Sequence, residues 1–177
     1  TTLLQSLLKQ FNSEKVGVIE NEVGEINIDS RILKAEGIES YEINNGAIFC
    51  SCQQSNFLAA LEMISEQNLD FLFIEASGIA DPSPMVSNIE LINRTVKRRY
   101  HYLGSICVID AENCIELIEI TPVIEKQIQH ASLILINKCD LVDIKQIDRV
   151  RNKITHFNDR VPIISTINCQ TVPKDLL

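Results

Sequence analysis

Apolar and polar positions form blocks along the chain that predict helices and strands in alternation. Leucine and phenylalanine recur at helical spacing near the start, at Leu3, Leu4, Leu7, Leu8 and Phe11. Short apolar runs predict strands over 15–20, 41–43, 70–74, 103–109, 133–136 and 162–165. Longer segments with one apolar face predict helices over 55–66, 84–95, 122–130 and 144–157. Because the strands are apolar on both faces, the pattern predicts an α/β fold with a mostly parallel sheet covered on both sides.

Polar residues follow four of the predicted strands directly. They are Glu20, Glu75, Asp110 and Asn137. In a parallel sheet the carboxyl ends of the strands meet at one edge, and ligands bind outside that edge. The sequence therefore predicts that these polar loops converge on a ligand site.

The loop after the strand at 133–136 has the residue types of a guanine-binding loop. The carboxylate of Asp140 can accept both N–H donors on one edge of guanine, whereas adenine offers no matching pair. The amide of Asn137 can bond the other polar edge of the purine, and the stem of Lys138 can lie over the base plane. The alternative is an ordinary strand end with charged residues.

A second loop, which begins at Glu75, has the residue types of a nucleotide–metal site. A carboxylate at the end of a buried strand can hold Mg²⁺ through water, and the backbone N–H of Gly78 can approach a terminal phosphate closely. Alternatively, Gly78 makes a turn and Glu75 is solvated. The guanine-type loop downstream favours the functional interpretation.

The first residues of the chain have the pattern that follows a phosphate-binding loop. Such loops end in Lys and then Ser or Thr, whose hydroxyl ligates Mg²⁺, at the start of a helix. In that register Thr1 is the metal-ligating hydroxyl and Thr2 lies beside the α-phosphate. The chain starts without Met and inside a predicted helix, so we expect that residues precede Thr1.

Composition and charge exclude several classes of protein. The 177 residues are 45% hydrophobic, which is enough for one well-cored domain. A net charge of −8 argues against a general nucleic-acid binder, and we expect the basic cluster Lys97-Arg98-Arg99 to be a solvated helix end. No apolar stretch approaches the roughly 20 residues that span a bilayer. The spacing of the six cysteines favours a reduced, cytoplasmic setting over a small secreted scaffold.

Taken together, the motifs resemble those of the CobW/HypB/UreG group of P-loop GTPases, and within it the CobW-like branch. The resemblance covers essentially all 177 residues. Four segments carry it in matching order and spacing: Ile19-Glu20-Asn21-Glu22-Val23-Gly24-Glu25 with Ile28-Asp29, Asn44-Asn45-Gly46, Glu75-Ala76-Ser77-Gly78-Ile79-Ala80-Asp81-Pro82, and Asn137-Lys138-Cys139-Asp140.

The resemblance implies a three-layer α/β/α P-loop NTPase in which residues 1–177 form one GTPase domain without the C-terminal domain that CobW-like proteins often carry. Members are cytosolic GTPases that deliver metal ions such as zinc, cobalt and nickel to target proteins or cofactors. By resemblance, Glu75 and Gly78 belong to the Mg²⁺ and γ-phosphate site, and Asn137, Lys138 and Asp140 to the guanine site. The phosphate loop of the family would immediately precede Thr1. Ser165, at the end of the last predicted strand, is expected to border the base.

The cysteine segment departs from the family pattern. CobW-like proteins usually follow Asn-Gly with Cys-x-Cys-Cys, a thiolate set thought to hold the transported metal. Here Ala47 and Phe49 occupy the first two cysteine positions, Cys50 keeps the third, and Cys52 adds a thiol two residues later. The carrier site of the family is therefore altered in this chain.

The two remaining thiols leave two interpretations open. Zinc normally takes four ligands, so Cys50 and Cys52 alone make an incomplete site. Glu20 and Glu25 can add oxygen ligands if their loop meets the cysteine segment, and such an open, mixed site suits a metal held for transfer. Alternatively, both cysteines are free thiols on a switch-type loop.

Other potential metal ligands are assigned to structural positions. We expect His101, His130 and His156 to be surface or capping residues, and Cys107 to lie in the core.

Three functional hypotheses follow. The first is a GTPase that couples nucleotide state to delivery of zinc or cobalt to a client protein, with slow hydrolysis that a partner or homodimerisation raises. The second is a nucleotide-gated interaction module that holds a client enzyme without metal transfer. The third is a redox role for the Cys-x-Cys pair.

Overall fold

The computed structural model describes residues 2–11, 13–20, 39–42 and 54–170, with the backbone alone for 39–42. The helices are α1 (Thr2–Leu8), α2 (Gln54–Ser65), α3 (Met85–Ile92), α4 (Cys114–Ile120), α5 (Pro122–His130) and α6 (Ile144–Phe157). The strands are β1 (Val16–Glu20), β2 (Glu39–Glu42), β3 (Phe71–Glu75), β4 (Ile106–Asp110), β5 (Leu133–Asn137) and β6 (Ile163–Ser165). The chain divides into two compact units, one ending at Tyr102 and the next beginning at Leu103.

The first unit is built on a three-stranded parallel sheet in the order β2-β1-β3. Every residue of β1, the central strand, is buried. One face of the sheet packs against α2 and α3 through a core that consists of Ile19, Phe57, Leu61, Ile64, Met85, Ile89 and Ile92. On the opposite face Phe11, which follows α1, contacts the rings of Phe71 and Phe73 with centroids 4.8 and 5.2 Å away.

The second unit is built on another three-stranded parallel sheet, in the order β4-β5-β6. Leu133 to Ile136 of β5 are fully or almost fully buried, as expected for the central strand. Helices α4, α5 and α6 cover one face of this sheet, with Ile128, Val150 and Ile154 at 0% exposure. The side chain of Asp143 caps α6 by accepting the backbone N–H of Gln146 at 2.8 Å.

The α/β prediction with parallel strands flanked by helices is confirmed, although the strands lie in two three-stranded sheets. All six predicted strands are present. The strand predicted over 103–109 begins only at Ile106, because Gly104 adopts a φ of 138° that an extended strand does not allow. The helix predicted over 84–95 ends at Ile92, and the basic cluster 97–99 is exposed beyond it.

Helix α4 is absent from the sequence-based prediction. Its apolar residues Cys114, Leu117 and Ile118 recur at helical spacing, but the segment is only seven residues long, and Thr121 alone separates it from α5. Among the described residues no helix has the length and apolar character needed to cross a membrane.

Candidate functional site

In the first unit the carboxyl ends of the strands carry aligned glutamates. Glu20 at the end of β1 pairs in register with Glu42 of β2 on one side and with Glu75 of β3 on the other. Paired residues of parallel strands point to the same face, and neighbouring strands lie about 4.8 Å apart. The carboxylates of Glu20 and Glu75 therefore share one face at the predicted ligand edge.

The carboxylates of Glu20 and Glu75 differ in how far they are buried. Glu20 is only 8% exposed and its Oε1 is buried, whereas Glu75 is half-buried. The face they share is also the face of Phe71 and Phe73, against which Phe11 packs. A buried carboxylate beside a partly exposed one forms an oxygen donor set of the kind that Mg²⁺ and zinc accept.

The loop after β3 leaves Gly78 open. A Cβ added to Gly78 would meet no atom within 4 Å, and its φ is not positive. In the described structure Gly78 lies in a turn closed by a hydrogen bond from the Ala80 N–H to the Ser77 carbonyl at 2.9 Å, as the structural alternative predicts, although neither sterics nor backbone conformation requires glycine there.

A polar contact joins the helices that follow two predicted functional segments. Asn88 of α3 is 2% exposed, and its Oδ1 accepts a hydrogen bond from Nε2 of Gln54 at 2.6 Å. Gln54 begins α2, two residues after Cys52, and α3 follows the loop that starts at Glu75. This hydrogen bond links the start of α2 to α3.

In the second unit, the guanine-type loop leaves β5 through a left-handed residue. Lys138 has φ 62° and ψ 34°, a conformation that costs a residue with a side chain about 1–2 kcal/mol. The backbone then turns through a short 3₁₀ helix, Cys139–Leu141, in which Asp140 is exposed. The carboxylate of Asp140 is thus accessible to a ligand at the carboxyl edge of the sheet.

The side chain of Lys138 reaches the neighbouring strand. Its ammonium group donates to Oδ2 of Asp110 at 2.7 Å, and Asp110 pairs in register with Asn137. Burial alone would raise the pKa of the Asp110 carboxyl. Hydrogen bonds from Lys138 and from the Glu112 N–H outweigh that effect and hold this pKa below its ordinary value. The hydrogen bond to Asp110 raises the pKa of Lys138 in turn, so both groups stay charged around neutral pH.

Asn137 ties the guanine-type loop to the loop that follows β6. Its Oδ1 accepts the backbone N–H of Cys169 at 2.9 Å. Cys169 is 3% exposed. Its backbone is left-handed, with φ 53°, and the backbone of its neighbour Asn168 is left-handed too, with φ 52°. The Cys139 N–H also donates to the Thr166 carbonyl at 3.3 Å. The two loops form one connected edge.

Ser165 has a structural partner in the described residues. Its Oγ accepts a hydrogen bond from Arg151 of α6 at 3.0 Å, and the same guanidinium donates to the Ile163 carbonyl at 3.3 Å. Ser165 pairs in register with Ile136, on the face that the helices cover. Its expected contact with a base remains a prediction.

Several predicted site residues lie outside the described part of the chain: Thr1, Glu25, Cys50 and Cys52. Thr2 is exposed at the first position of α1. Over the described ranges, no group of three or more His, Cys, Asp or Glu side chains is placed to hold a metal ion. The structural assignments of His101, His130 and His156 as exposed and of Cys107 as core are confirmed.

Sequence reasoning gave no partner to Asp110 and no role to Arg151 or Cys169. Asp110 did carry a signal, because it follows a buried strand in the same way as Asn137. The contacts of Arg151 depend on how far its side chain reaches, and the contact of Cys169 depends on positive φ angles at Asn168 and Cys169. The residue pattern of these segments does not indicate either.

Comparison with known proteins adds a family match. The family model described as CobW/HypB/UreG, nucleotide-binding domain, matches residues 1–165. The zinc chaperone YjiA of Escherichia coli (strain K12) is 28% identical over 168 residues, covering 92% of this chain and 52% of the relative. The zinc-regulated GTPase metalloprotein activator 1 of Schizosaccharomyces pombe is 33% identical over 175 residues, covering 94% of this chain and 42% of the relative. This chain spans about half the length of the curated relatives it matches.

Solved structures show the same fold. The zinc-bound YjiA GTPase from E. coli superimposes with a TM-score of 0.69 at 25% identity, covering 99% of this chain and 56% of that one. HypB from Helicobacter pylori in complex with nickel has a TM-score of 0.60 at 19% identity, covering 99% of this chain and 75% of that one, and supports the fold alone.

Proposed function

This chain belongs to the CobW/HypB/UreG nucleotide-binding family, and on that premise we propose that it binds and hydrolyses GTP as part of a protein that delivers zinc or cobalt to a client protein. Relatives named zinc chaperones and zinc-regulated GTPase metalloprotein activators support the metal-delivery role. We also propose that both compact units belong to one GTPase domain, since a single family model matches residues 1–165. The proposed setting is the cytoplasm.

The observation that carries the proposal is the exposed carboxylate of Asp140, two residues after the left-handed Lys138. Asp140 accepts the N1 and N2 hydrogens of guanine, and the stem of Lys138 covers the base. Asn137 contributes through the bonds that hold the two edge loops together. Ser165 is proposed to border the base from the end of β6.

The phosphate end of GTP is assigned to the first unit. Glu75 and Gly78 are proposed to serve the Mg²⁺ and γ-phosphate site, with Thr1 as a Mg²⁺ ligand and Thr2 beside the α-phosphate. The oxygen donors at the end of β3 and the open space at Gly78 fit this role. Bound Mg²⁺ would neutralise phosphate charge.

The transported metal is assigned to Cys50, Cys52, Glu20 and Glu25. Thiolate and carboxylate groups together suit zinc, and an open set suits transfer to a client. Supporting this assignment, Glu20 is buried and pairs in register with Glu75 of the proposed Mg²⁺ site. The Gln54–Asn88 bond supplies a second link between the two segments. Hydrolysis is proposed to be slow until a partner or a second copy of the chain raises it.

Turnover of GTP and ATP by the protein expressed from its own start codon tests the guanine assignment. We expect GTP turnover to exceed ATP turnover, and the Asp140→Ala variant to lose that preference. Asp159→Ala, which removes an exposed carboxylate elsewhere in the second unit, is the matched control and should keep it. Equal turnover of GTP and ATP by the unmodified protein would contradict the guanine assignment.

A second candidate function is a nucleotide-gated module that holds a client enzyme without carrying metal. The replacement of two family cysteines by Ala47 and Phe49 favours it. Zinc titration of the unmodified protein and of the Cys50→Ser, Cys52→Ser double variant separates the two functions. A large loss of affinity in the variant supports metal delivery, and unchanged affinity supports the gating module.

A further inference from the structure

Asp110 occupies a bridging position at the carboxyl edge of the second sheet. One carboxylate oxygen, Oδ1, accepts the Glu112 N–H at 2.9 Å and so fixes the turn that leaves β4. The other, Oδ2, accepts the Lys138 ammonium at 2.7 Å. Each oxygen therefore has a different partner, and the carboxylate is held between its own loop and the guanine-type loop.

Backbone contacts hold the same two strand ends together. The Ala111 N–H donates to the Asn137 carbonyl at 3.0 Å, and Ala111 is fully buried. The left-handed backbone of Lys138 starts directly after this bond. The path from Cα to the ammonium of Lys138 is thus fixed at both ends, by the backbone turn and by Asp110, so its aliphatic stem crosses from β5 to β4 at the edge where Asp140 is exposed.

We propose that Asp110 is a positioning residue for guanine-nucleotide binding, which holds the stem of Lys138 across the strand ends so that it covers the base before any nucleotide arrives. This inference rests on the proposed function. Asp110 does not touch the base itself; it acts through Lys138. Without Asp110, the lysine side chain samples many rotamers, and binding must order it again.

The direction of the effect distinguishes positioning from bulk charge. Nucleotides are anions, so removing a carboxylate near the site would strengthen binding by simple electrostatics. Positioning predicts the opposite result, weaker binding. Asp110 is 23% exposed and Lys138 50% exposed, so the ion pair is a partly solvated one of modest strength.

Equilibrium binding of GDP and IDP to the protein expressed from its own start codon tests the proposal, with ADP as the reference. IDP lacks the 2-amino group that Asp140 reads, but it keeps the base plane that Lys138 covers. We expect Asp110→Ala to weaken GDP and IDP binding by the same factor, roughly fivefold. Asp110→Glu should recover part of the loss, and Lys138→Ala added to Asp110→Ala should cause little further loss.

The outcomes separate this inference from the function on which it rests. If the unmodified protein binds GDP no better than ADP, the guanine assignment fails. If it prefers GDP but Asp110→Ala binds GDP as well as or better than the unmodified protein, the positioning role is wrong. Asp159→Ala removes the same charge from an exposed site and should not weaken binding. A loss in that control equal to the loss in Asp110→Ala would also overturn the proposal.

Discussion

The hydrogen bond between Asn137 and Cys169 joins the guanine-type loop to the loop that follows β6, and its removal gives a prediction that can be tested directly. The Asn137→Ala variant removes Oδ1 of Asn137, which accepts the Cys169 N–H at 2.9 Å. Cys169 is 3% exposed, so its N–H then has no acceptor in a buried position. The loop of Asn168 and Cys169 is left-handed at both residues, so it depends on such bonds to persist. We expect the loop to open more often in the variant.

The magnitude follows from the burial of the amide. Leaving a buried donor without its partner costs about 1–3 kcal/mol. The free energy of local opening at Cys169 should fall by that amount. Since 1.4 kcal/mol is a factor of ten, hydrogen exchange at this amide should become roughly 5- to 150-fold faster.

Amide hydrogen exchange followed by NMR or mass spectrometry measures the effect. Asn137→Asp keeps an oxygen acceptor at the same position and should retain most of the protection. Asn152→Ala, at an exposed position of α6, controls for loss of an amide side chain. Unchanged exchange at Cys169 in Asn137→Ala would refute the reasoning that this bond holds the loop.

Three further predictions concern the base, the core and the thiols. Asp140→Asn should shift binding from guanine towards xanthine by more than about tenfold in competitive titration, since an amide N–H can donate to the xanthine O2; retained guanine preference would contradict the assigned contact. Ile154→Ala should lower the free energy of unfolding by about 2–5 kcal/mol in urea titration, because Ile154 is fully buried, and a loss below about 1 kcal/mol would contradict that packing. Burial raises the pKa of the Cys107 thiol to about 12 and that of Cys114 to about 11. The native protein therefore binds more protons than the unfolded chain above about pH 9, and its stability should fall with rising pH there, whereas a flat pH profile of the urea midpoint between pH 8 and 10.5 would oppose this account.

Much of the fold could be predicted from local patterns. The apolar run that became β5 and the one-sided pattern that became α6 are strong periodic signals, and both appear as predicted. Segment 114–120 is absent from the prediction because seven residues are too short for their helical spacing to give a strong periodic signal. The strand predicted from 103 begins late for a local reason, the positive φ at Gly104, where an added Cβ would clash with the Ser132 side chain.

The site was predictable in its residue types but not in its contacts. Strand ends gave Glu20, Glu75, Asp110 and Asn137 as candidates, and parallel register brings Glu20 beside Glu75 and Asp110 beside Asn137. The partner of Lys138 could not be found in the same way, because the ion pair depends on a left-handed backbone at Lys138 and on a residue 28 positions earlier, Asp110. Such contacts join residues far apart in sequence and depend on how far a side chain reaches, so the hydrophobic periodicity of the sequence does not predict them.

The most direct test of nucleotide-controlled metal delivery is the zinc affinity of the protein, expressed from its own start codon, in two nucleotide states. It is measured once with a non-hydrolysable GTP analogue and Mg²⁺, and once with GDP and Mg²⁺. The account predicts that the two affinities differ by about tenfold, the size of a typical coupling between sites. Zinc binding of equal strength in both states would contradict it.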